Sequence, residues 1–123
     1  MKAPVNSKSA PAPIGPYSQG VDAGAVYCSG QIGLDPTTGG LVEGVVAQTS
    51  RTLSNLDAVL KGAGMSLSNV VKTTVFMVDL AEFVQMNEEY GKHFTPPFPA
   101  RSTVQVSALP RGARVEIDAV AVR

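Results

Sequence analysis

The chain has 123 residues, which is the length of one folded domain. Its ten lysine and arginine residues balance its ten aspartate and glutamate residues, so the formal net charge is zero. Domains that bind nucleic acid are normally basic, and this balance therefore argues against such a partner. No apolar run approaches the roughly 20 residues of a membrane-spanning helix. The first residues fit neither a signal peptide nor a transit peptide, so we expect no targeting segment.

The single cysteine, Cys28, cannot form a disulfide within the chain, which fits a cytoplasmic protein. Its apolar strand context, without a neighbouring cation, predicts a packed core thiol rather than a reactive one. One cysteine and one histidine, His93, also exclude a zinc site of the usual histidine and cysteine ligands. No phosphate-binding or dinucleotide-binding motif occurs, so we expect no cofactor and no metal.

Proline punctuates the start of the chain, and residues 1–13 are predicted to form an extended arm. Residues 17–21 are predicted as a short edge strand and residues 25–34 as a second strand. Apolar residues at steps of three and four predict a helix over about residues 43–63. The stripe consists of Val46, Thr49, Leu53, Leu56, Leu60 and Ala63.

Residues 70–78 form a β-branched run that predicts a buried strand. Asp79 is the predicted N-cap of a second helix, with Glu82 as its capping-box partner. Strands over 100–108 and 114–122 complete the order ββαβαββ, which is an α+β fold with both helices on one face of a mixed sheet. The other face then needs a cover, and the simplest one is another copy of the chain.

Two charged residues stand out in otherwise apolar strands. Arg101 follows a stiff, proline-rich approach, where a guanidinium can hold a carboxylate through two parallel hydrogen bonds. A structural ion pair would explain it equally well. Glu116 alternates with Val115 and Ile117, so the pleat points it to the opposite face from them. At an interface Glu116 could accept a proton, although a solvent-facing carboxylate is the more ordinary interpretation.

Two further residues are candidates for contact with a ligand. A glycine inside a strand, such as Gly30, indicates either a bulge or a close approach of the backbone to a ligand, and a bulge is the default interpretation. Tyr17 follows a rigid segment, and its hydroxyl could orient a ligand or pack at an interface. Each of these signals is weak alone.

Six segments occur in one order along the chain: IGPYSQ at 14–19, SGQIG at 29–33, VVKTTVFMVDL at 70–80, MNEEY at 86–90, FPARSTVQVSALP at 98–110 and VEIDAVAV at 115–122. This series resembles the RidA (YjgF) family of reactive enamine/imine deaminases. The resemblance covers nearly all of the chain after the first dozen residues. The FPAR strand followed by the EIDA strand is its most specific part.

The resemblance implies a chorismate-mutase-like α+β subunit that assembles as a homotrimer, with sites in the clefts between neighbouring subunits. It also implies an activity, the hydrolysis of short 2-imino acids and their enamine tautomers to 2-keto acids and ammonia. The implied substrates include 2-iminopropanoate and 2-iminobutanoate, and the implied role is control of metabolite damage. The family uses no cofactor for this reaction.

Roles for individual residues also follow from the resemblance. Arg101 matches the arginine that binds the substrate carboxylate, and Glu116 matches the glutamate that positions or activates the attacking water. Gly30 matches a glycine whose backbone approaches the ligand, and Tyr17 matches the tyrosine at the cleft.

Two more matches are looser. Asn87 matches an asparagine at the site of bacterial members, although an ordinary helix-surface residue fits its pattern too. Thr103 stands where many bacterial members have a cysteine. If only the backbone at this position contacts substrate, the change is harmless.

Two other functions are compatible with the same sequence. The chain could form a trimeric module that binds small carboxylates or proteins without turning them over. Glu116 argues for the enzyme, because a pure binder needs no carboxylate that positions water. The second alternative is a ribonuclease or translation inhibitor, against which the zero net charge and the lack of a basic aromatic stripe argue.

Overall fold

A six-stranded mixed sheet organises the chain, and the computed structural model describes all residues from 1 to 123. In chain order the elements are β1 (Ala3–Val5), β2 (Gly20–Ala23), β3 (Ala25–Gln31), α1 (Val45–Lys61), β4 (Val70–Met77), α2 (Phe83–Gly91), β5 (Ala100–Gln105) and β6 (Val115–Ala121). Neither helix combines the length and the hydropathy that crossing a bilayer requires.

The strands lie in the order β1-β2-β3-β6-β4-β5, which puts the last strand of the chain near the middle of the sheet. All neighbours are antiparallel except β4 and β5. A parallel pair needs a long crossover, which α2 supplies. Both helices pack on one face of the sheet. The predicted α+β class and mixed sheet are therefore confirmed.

The core lies between this sheet face and the two helices. Strand β6 contributes every second residue to it, since Val115, Ile117, Ala119 and Ala121 are all buried. Helix α1 contributes a stripe that largely follows the prediction; its apolar members are Val45, Leu53, Leu56, Val59 and Leu60.

The predicted stripe is wrong at its first residue. The side chain of Val46 is 47% exposed, whereas that of Val45 is buried. A step of four from Val45 to Thr49 continues the buried line, so Val46 falls just outside it.

The N-terminal residues differ most from expectation. Residues 3–5 form β1, which pairs with β2 at the edge of the sheet, where Pro4 costs no ladder hydrogen bond on its free side. The predicted strand over 17–21 begins only at Gly20. Its predecessor Gln19 instead turns its buried amide towards the arm, accepting from the Ser7 N–H at 2.7 Å and donating to the Pro11 carbonyl at 2.9 Å. One side chain thus fastens the arm to the sheet.

The predicted capping box at the second helix is wrong. Asp79 caps a single 3₁₀ turn over Leu80–Glu82, accepting from the Ala81 N–H at 2.9 Å, and α2 follows that turn. Glu82 does not return to the Asp79 backbone, because its carboxylate binds the Arg114 guanidinium at 2.7 Å. A long-range ion pair therefore takes the place of the local one.

The second face of the sheet carries no helix. It presents Tyr27, which is 54% exposed, and Val104, which is 42% exposed, beside the half-buried Phe76 and Val120. We call this surface the open face. It is the surface for which the sequence analysis expected a covering subunit.

Replacing Leu56 by alanine tests the core at a fully buried position of α1. Leu56 is fully buried, and a buried leucine truncated to alanine typically loses about 2–5 kcal/mol of stability. We expect the free energy of unfolding in urea to fall by that amount. The matched change Val46→Ala on the exposed side of the same helix should shift it by less than about 0.5 kcal/mol. Equal losses in both variants would contradict the assigned helix face.

Candidate active site

Glu116 projects from the middle of β6 onto the open face, opposite Val115 and Ile117, as the alternation predicted. Its backbone pairs with that of Phe76 in β4. The side chain is half-buried, and this burial raises the pKa of the carboxyl group above its ordinary value, with the nearby Asp118 charge adding to the effect. A carboxylate with a raised pKa is a better proton acceptor than a fully solvated one.

The absence of a side chain at Gly30 makes room for the Glu116 carboxylate. The pairing of β3 with β6 shifts register between Cys28 and Gln31, so the predicted bulge is confirmed. A methyl group on Gly30 would collide with Oε2 of Glu116 and would lie 2.9 Å from its carboxyl carbon. Only a glycine leaves room for the carboxylate to rest against the backbone here.

A pocket of about 590 Å³ opens beside this carboxylate. Tyr17 and Gly30 line it together with Glu116, so three of the predicted site residues meet. The Tyr17 hydroxyl accepts a hydrogen bond from the Ile14 N–H at 3.3 Å, and the Tyr17 side chain is 51% exposed. We call this region the Glu116 half-site.

Arg111 also lines the Glu116 half-site, and the sequence analysis did not identify it. Its backbone adopts a left-handed conformation with φ of 62°, and its guanidinium donates to the Gly39 carbonyl at 3.2 Å. Strained backbone of this kind often occurs at functional sites. The only sequence signal was the proline-glycine turn around it, which does not reveal which residue takes the positive φ.

Arg101 lies in a second pocket, of about 470 Å³, at the β5 edge of the sheet. Asn87 lines this pocket too, and so do Tyr90 and Phe98, which the sequence analysis did not select. The Arg101 guanidinium forms no ion pair with any carboxylate of its own chain, so the structural ion pair considered above is excluded within the chain. We call this region the Arg101 half-site.

Thr103 lies two residues beyond Arg101 in β5, on the same side of the strand, and it is half-buried. Its backbone pairs with Val75. Thr103 is adjacent to the pocket but is not one of the residues that line it.

The two half-sites lie on opposite faces of the sheet. Arg101 pairs with Thr73, whose side chain is buried on the helix side, whereas Glu116 pairs with Phe76 on the open face. A single chain therefore does not bring Arg101 and Glu116 into one pocket. Each half-site has one of the two groups that a combined site would need.

The other titratable candidates lie outside both half-sites. His93 contacts Glu89 of the preceding helical turn, with 3.1 Å between Nε2 and Oε2. Cys28 is buried, and burial, with a smaller contribution from Asp118, raises the pKa of its thiol to about 11. It is therefore a neutral core thiol, as predicted.

The chain is similar to known proteins along nearly its whole length. A model of the family described as Endoribonuclease L-PSP matches residues 7–123. Protein DfrA of Myxococcus xanthus is 56% identical over 122 residues, which cover 96% of this chain and 93% of that protein. A mouse protein named 2-iminobutanoate/2-iminopropanoate deaminase is 50% identical over 121 residues, covering 97% and 90%.

A solved structure of a related protein has the same fold. The crystal structure of TdcF from E. coli with bound serine has a TM-score of 0.93 to this chain at 41% identity, with 98% of each chain covered. The family match covers both half-sites and every helix and strand except β1. The protein therefore belongs to the Endoribonuclease L-PSP family, which is the RidA (YjgF) family.

Proposed function

We propose that this protein hydrolyses short 2-imino acids and their enamine tautomers, such as 2-iminopropanoate and 2-iminobutanoate, to 2-keto acids and ammonia. The observation that carries the proposal is the pair of complementary half-sites, one with an unpaired guanidinium and one with a partly desolvated carboxylate. The name of the mouse relative, a deaminase for these two compounds, supports the same reaction. The proposed role is the removal of reactive metabolites in the cytoplasm, which the unpaired Cys28 suits.

The proposed active site forms between neighbouring subunits of a homotrimer. Each site joins the Arg101 half-site of one subunit to the Glu116 half-site of the next. Large apolar side chains at both half-sites support this arrangement, since Ile14 is 81% exposed and Phe98 is 60% exposed in the single chain. Exposed apolar surface beside polar groups is typical of an interface.

Arg101 binds the substrate carboxylate in this scheme. Its planar guanidinium can donate two parallel hydrogen bonds, which fix both the position and the orientation of the carboxylate. Asn87 lies on the wall of the same pocket and can contact the substrate. Thr103, the next residue of β5 on that side, lies close enough in the strand to contribute through its backbone or hydroxyl.

Glu116 activates the water. The carboxylate accepts a proton from the water as its oxygen bonds to the imine carbon, and the imine nitrogen, already protonated, receives the electron pair of the C=N double bond. Glu116 then returns that proton to the nitrogen. The C–N bond breaks and ammonia leaves as the hydroxyl oxygen forms the carbonyl double bond, and the hydroxyl proton passes to the Glu116 carboxylate, which releases it to solvent. Orienting substrate and water supplies several kcal/mol of the barrier reduction. The proton transfer adds about 10²–10⁴-fold.

A binding protein without turnover is the second candidate, because the related TdcF was crystallised with bound serine. A protein that only binds carboxylates would use the Arg101 half-site in the same way but would need no proton acceptor in the Glu116 half-site. A ribonuclease is a third function, which the name of the family states. The zero net charge and the absence of a basic aromatic stripe argue against it.

The first test measures imine hydrolysis directly. An amino-acid oxidase generates 2-iminobutanoate in the presence of semicarbazide, and we expect the wild-type protein to divert the imine from trapping. Arg101→Ala should lower kcat/KM by about a hundredfold or more, because a misplaced substrate also loses the line of attack of the water. Arg123→Lys, at a surface ion pair with Asp22, is the matched control and should match the wild type.

Absence of protection by the wild-type protein, or equal protection by Arg101→Ala, would contradict the deaminase assignment. Binding of serine without turnover of any imine would favour the second candidate. Binding of RNA with a steep dependence on salt would favour the third.

Mixed oligomers test whether the site is shared. Arg101→Ala and Glu116→Gln should each be nearly inactive alone. In trimers refolded from equal amounts of the two, a working site needs Arg101 from one variant and Glu116 from the other, so about a quarter of the interfaces should regain activity. If both residues came from the same chain, mixing would restore nothing above the sum of the separate variants.

The pH profile tests the role of Glu116. Glu116 accepts a proton only when ionised, so kcat/KM should fall as the pH drops through its raised pKa. Asp118→Asn removes the smaller cause of the raised pKa while keeping an acceptor for the Thr74 N–H, and it should move the acid limb partway to lower pH. Protonation of the imine itself is the same in every variant. The control is Glu43→Gln, at an exposed carboxylate just before α1 that lines neither half-site. An acid limb that moves equally in this control, or not at all in Asp118→Asn, would contradict this role.

A further inference from the structure

Arg101 lies against aromatic side chains of α2. Its guanidinium carbon lies over the Tyr90 ring at 4.7 Å from the ring centroid and 5.6 Å from the centroid of Phe83. Both distances are within the range of a cation–π interaction. These two rings are the aromatic groups that the guanidinium contacts, and we call them the aromatic platform.

Tyr90 is itself held firmly. Its hydroxyl forms a hydrogen bond of 2.7 Å with the Thr73 hydroxyl, between α2 and β4, and both residues are buried. Phe94 packs against the Tyr90 ring with 4.7 Å between ring centroids. Burial raises the pKa of Tyr90, so the phenol stays protonated at neutral pH. The ring is therefore a fixed, neutral surface.

Arg101 needs such a surface to be ordered. The guanidinium forms no ion pair within the chain, and an arginine side chain free of partners loses considerable rotamer entropy when it binds a ligand. Stacking on a ring restrains the guanidinium but does not use its N–H groups, which lie in its plane. The hydrogen-bond donors thus remain available for a carboxylate.

We propose that Tyr90 and Phe83 are positioning residues that orient the Arg101 guanidinium for a carboxylate, with Thr73 fixing the Tyr90 ring. This inference rests on the proposed function in one respect, namely that the carboxylate belongs to the substrate. The two ring faces set the direction of the guanidinium, and the Thr73 hydroxyl sets the position of the larger ring. The sequence showed no such role, because Tyr90 and Thr73 are 17 residues apart.

The experiment measures binding separately from turnover. Dissociation constants of L-serine and 2-oxobutanoate are measured by titration calorimetry on the assembled wild-type protein and on three variants. Tyr90→Leu keeps apolar volume but removes the ring, and it should raise both constants by about three- to thirtyfold. Tyr90→Phe keeps the ring but loses the hydrogen bond to Thr73, so it should raise both constants by less than Tyr90→Leu does, to at most about threefold above wild type.

Leu56→Ala is the control for a loss of core packing, because Leu56 is fully buried and is not one of the rings that Arg101 contacts. It should cost stability and leave both dissociation constants within about twofold of wild type. In the imine assay, Tyr90→Leu should raise KM and lower kcat together, whereas Leu56→Ala should change neither.

Dissociation constants of Tyr90→Leu less than threefold above wild type would overturn the inference, and so would an equal loss in Leu56→Ala, which would indicate a general packing effect. If Tyr90→Leu does not fold, Phe83→Leu, at a less buried position, decides the question with an expected two- to fivefold loss and the same control.

The two proposals fail separately. If the wild-type protein binds 2-oxobutanoate without hydrolysing imines, the proposed function is wrong. The dissociation constants of the variants would still test whether the aromatic platform orients Arg101. Active wild-type protein with unchanged Tyr90→Leu would end only this inference. A wild-type protein that binds neither serine nor 2-oxobutanoate would overturn both.

Discussion

The alternation of side chains along β6 is the constraint on which the rest of the structure depends. This strand is hydrogen-bonded on both sides, by β3 and β4, so its register cannot slip without disturbing the whole sheet. It sends Val115 and Ile117 into the core and Glu116 to the open face. The same pleat in β5 turns Arg101 to the helix side. Within a single chain, the sheet therefore holds Arg101 and Glu116 on opposite faces.

Each charged group then has its own support. Glu116 rests on the backbone of Gly30, where the β3 bulge and the missing side chain make room. Arg101 rests on Tyr90, which a hydroxyl pair joins to β4. Neither support is an ion pair, since no opposite charge of the chain pairs with either group. That leaves both charges available to a ligand, at the cost of keeping a carboxylate partly out of water.

Local sequence patterns were enough for α1, from its apolar spacing, for the buried β4, from its β-branched run, and for the two faces of β6, from alternation. They failed where distant residues compete with local ones. The short β1 has too few residues to show alternation and forms only because β2 offers an edge. The capping role predicted for Glu82 was lost to Arg114, 32 residues away. Likewise, all predicted site residues except Thr103 line a pocket, but Arg101 and Glu116 line two different pockets. Sequence spacing contains nothing about subunit geometry, so it could not show this separation.

The sealed position of Cys28 has a chemical consequence. An imino acid is an electrophile at its imine carbon, so a thiolate nearby would add to that carbon reversibly and compete with the attacking water. Here the sole thiol is 6% exposed and has a pKa of about 11, while Thr103 presents a much weaker oxygen nucleophile beside the arginine. Because the only thiol of the chain is buried and neutral, no thiolate competes with water for an imine bound at the proposed site.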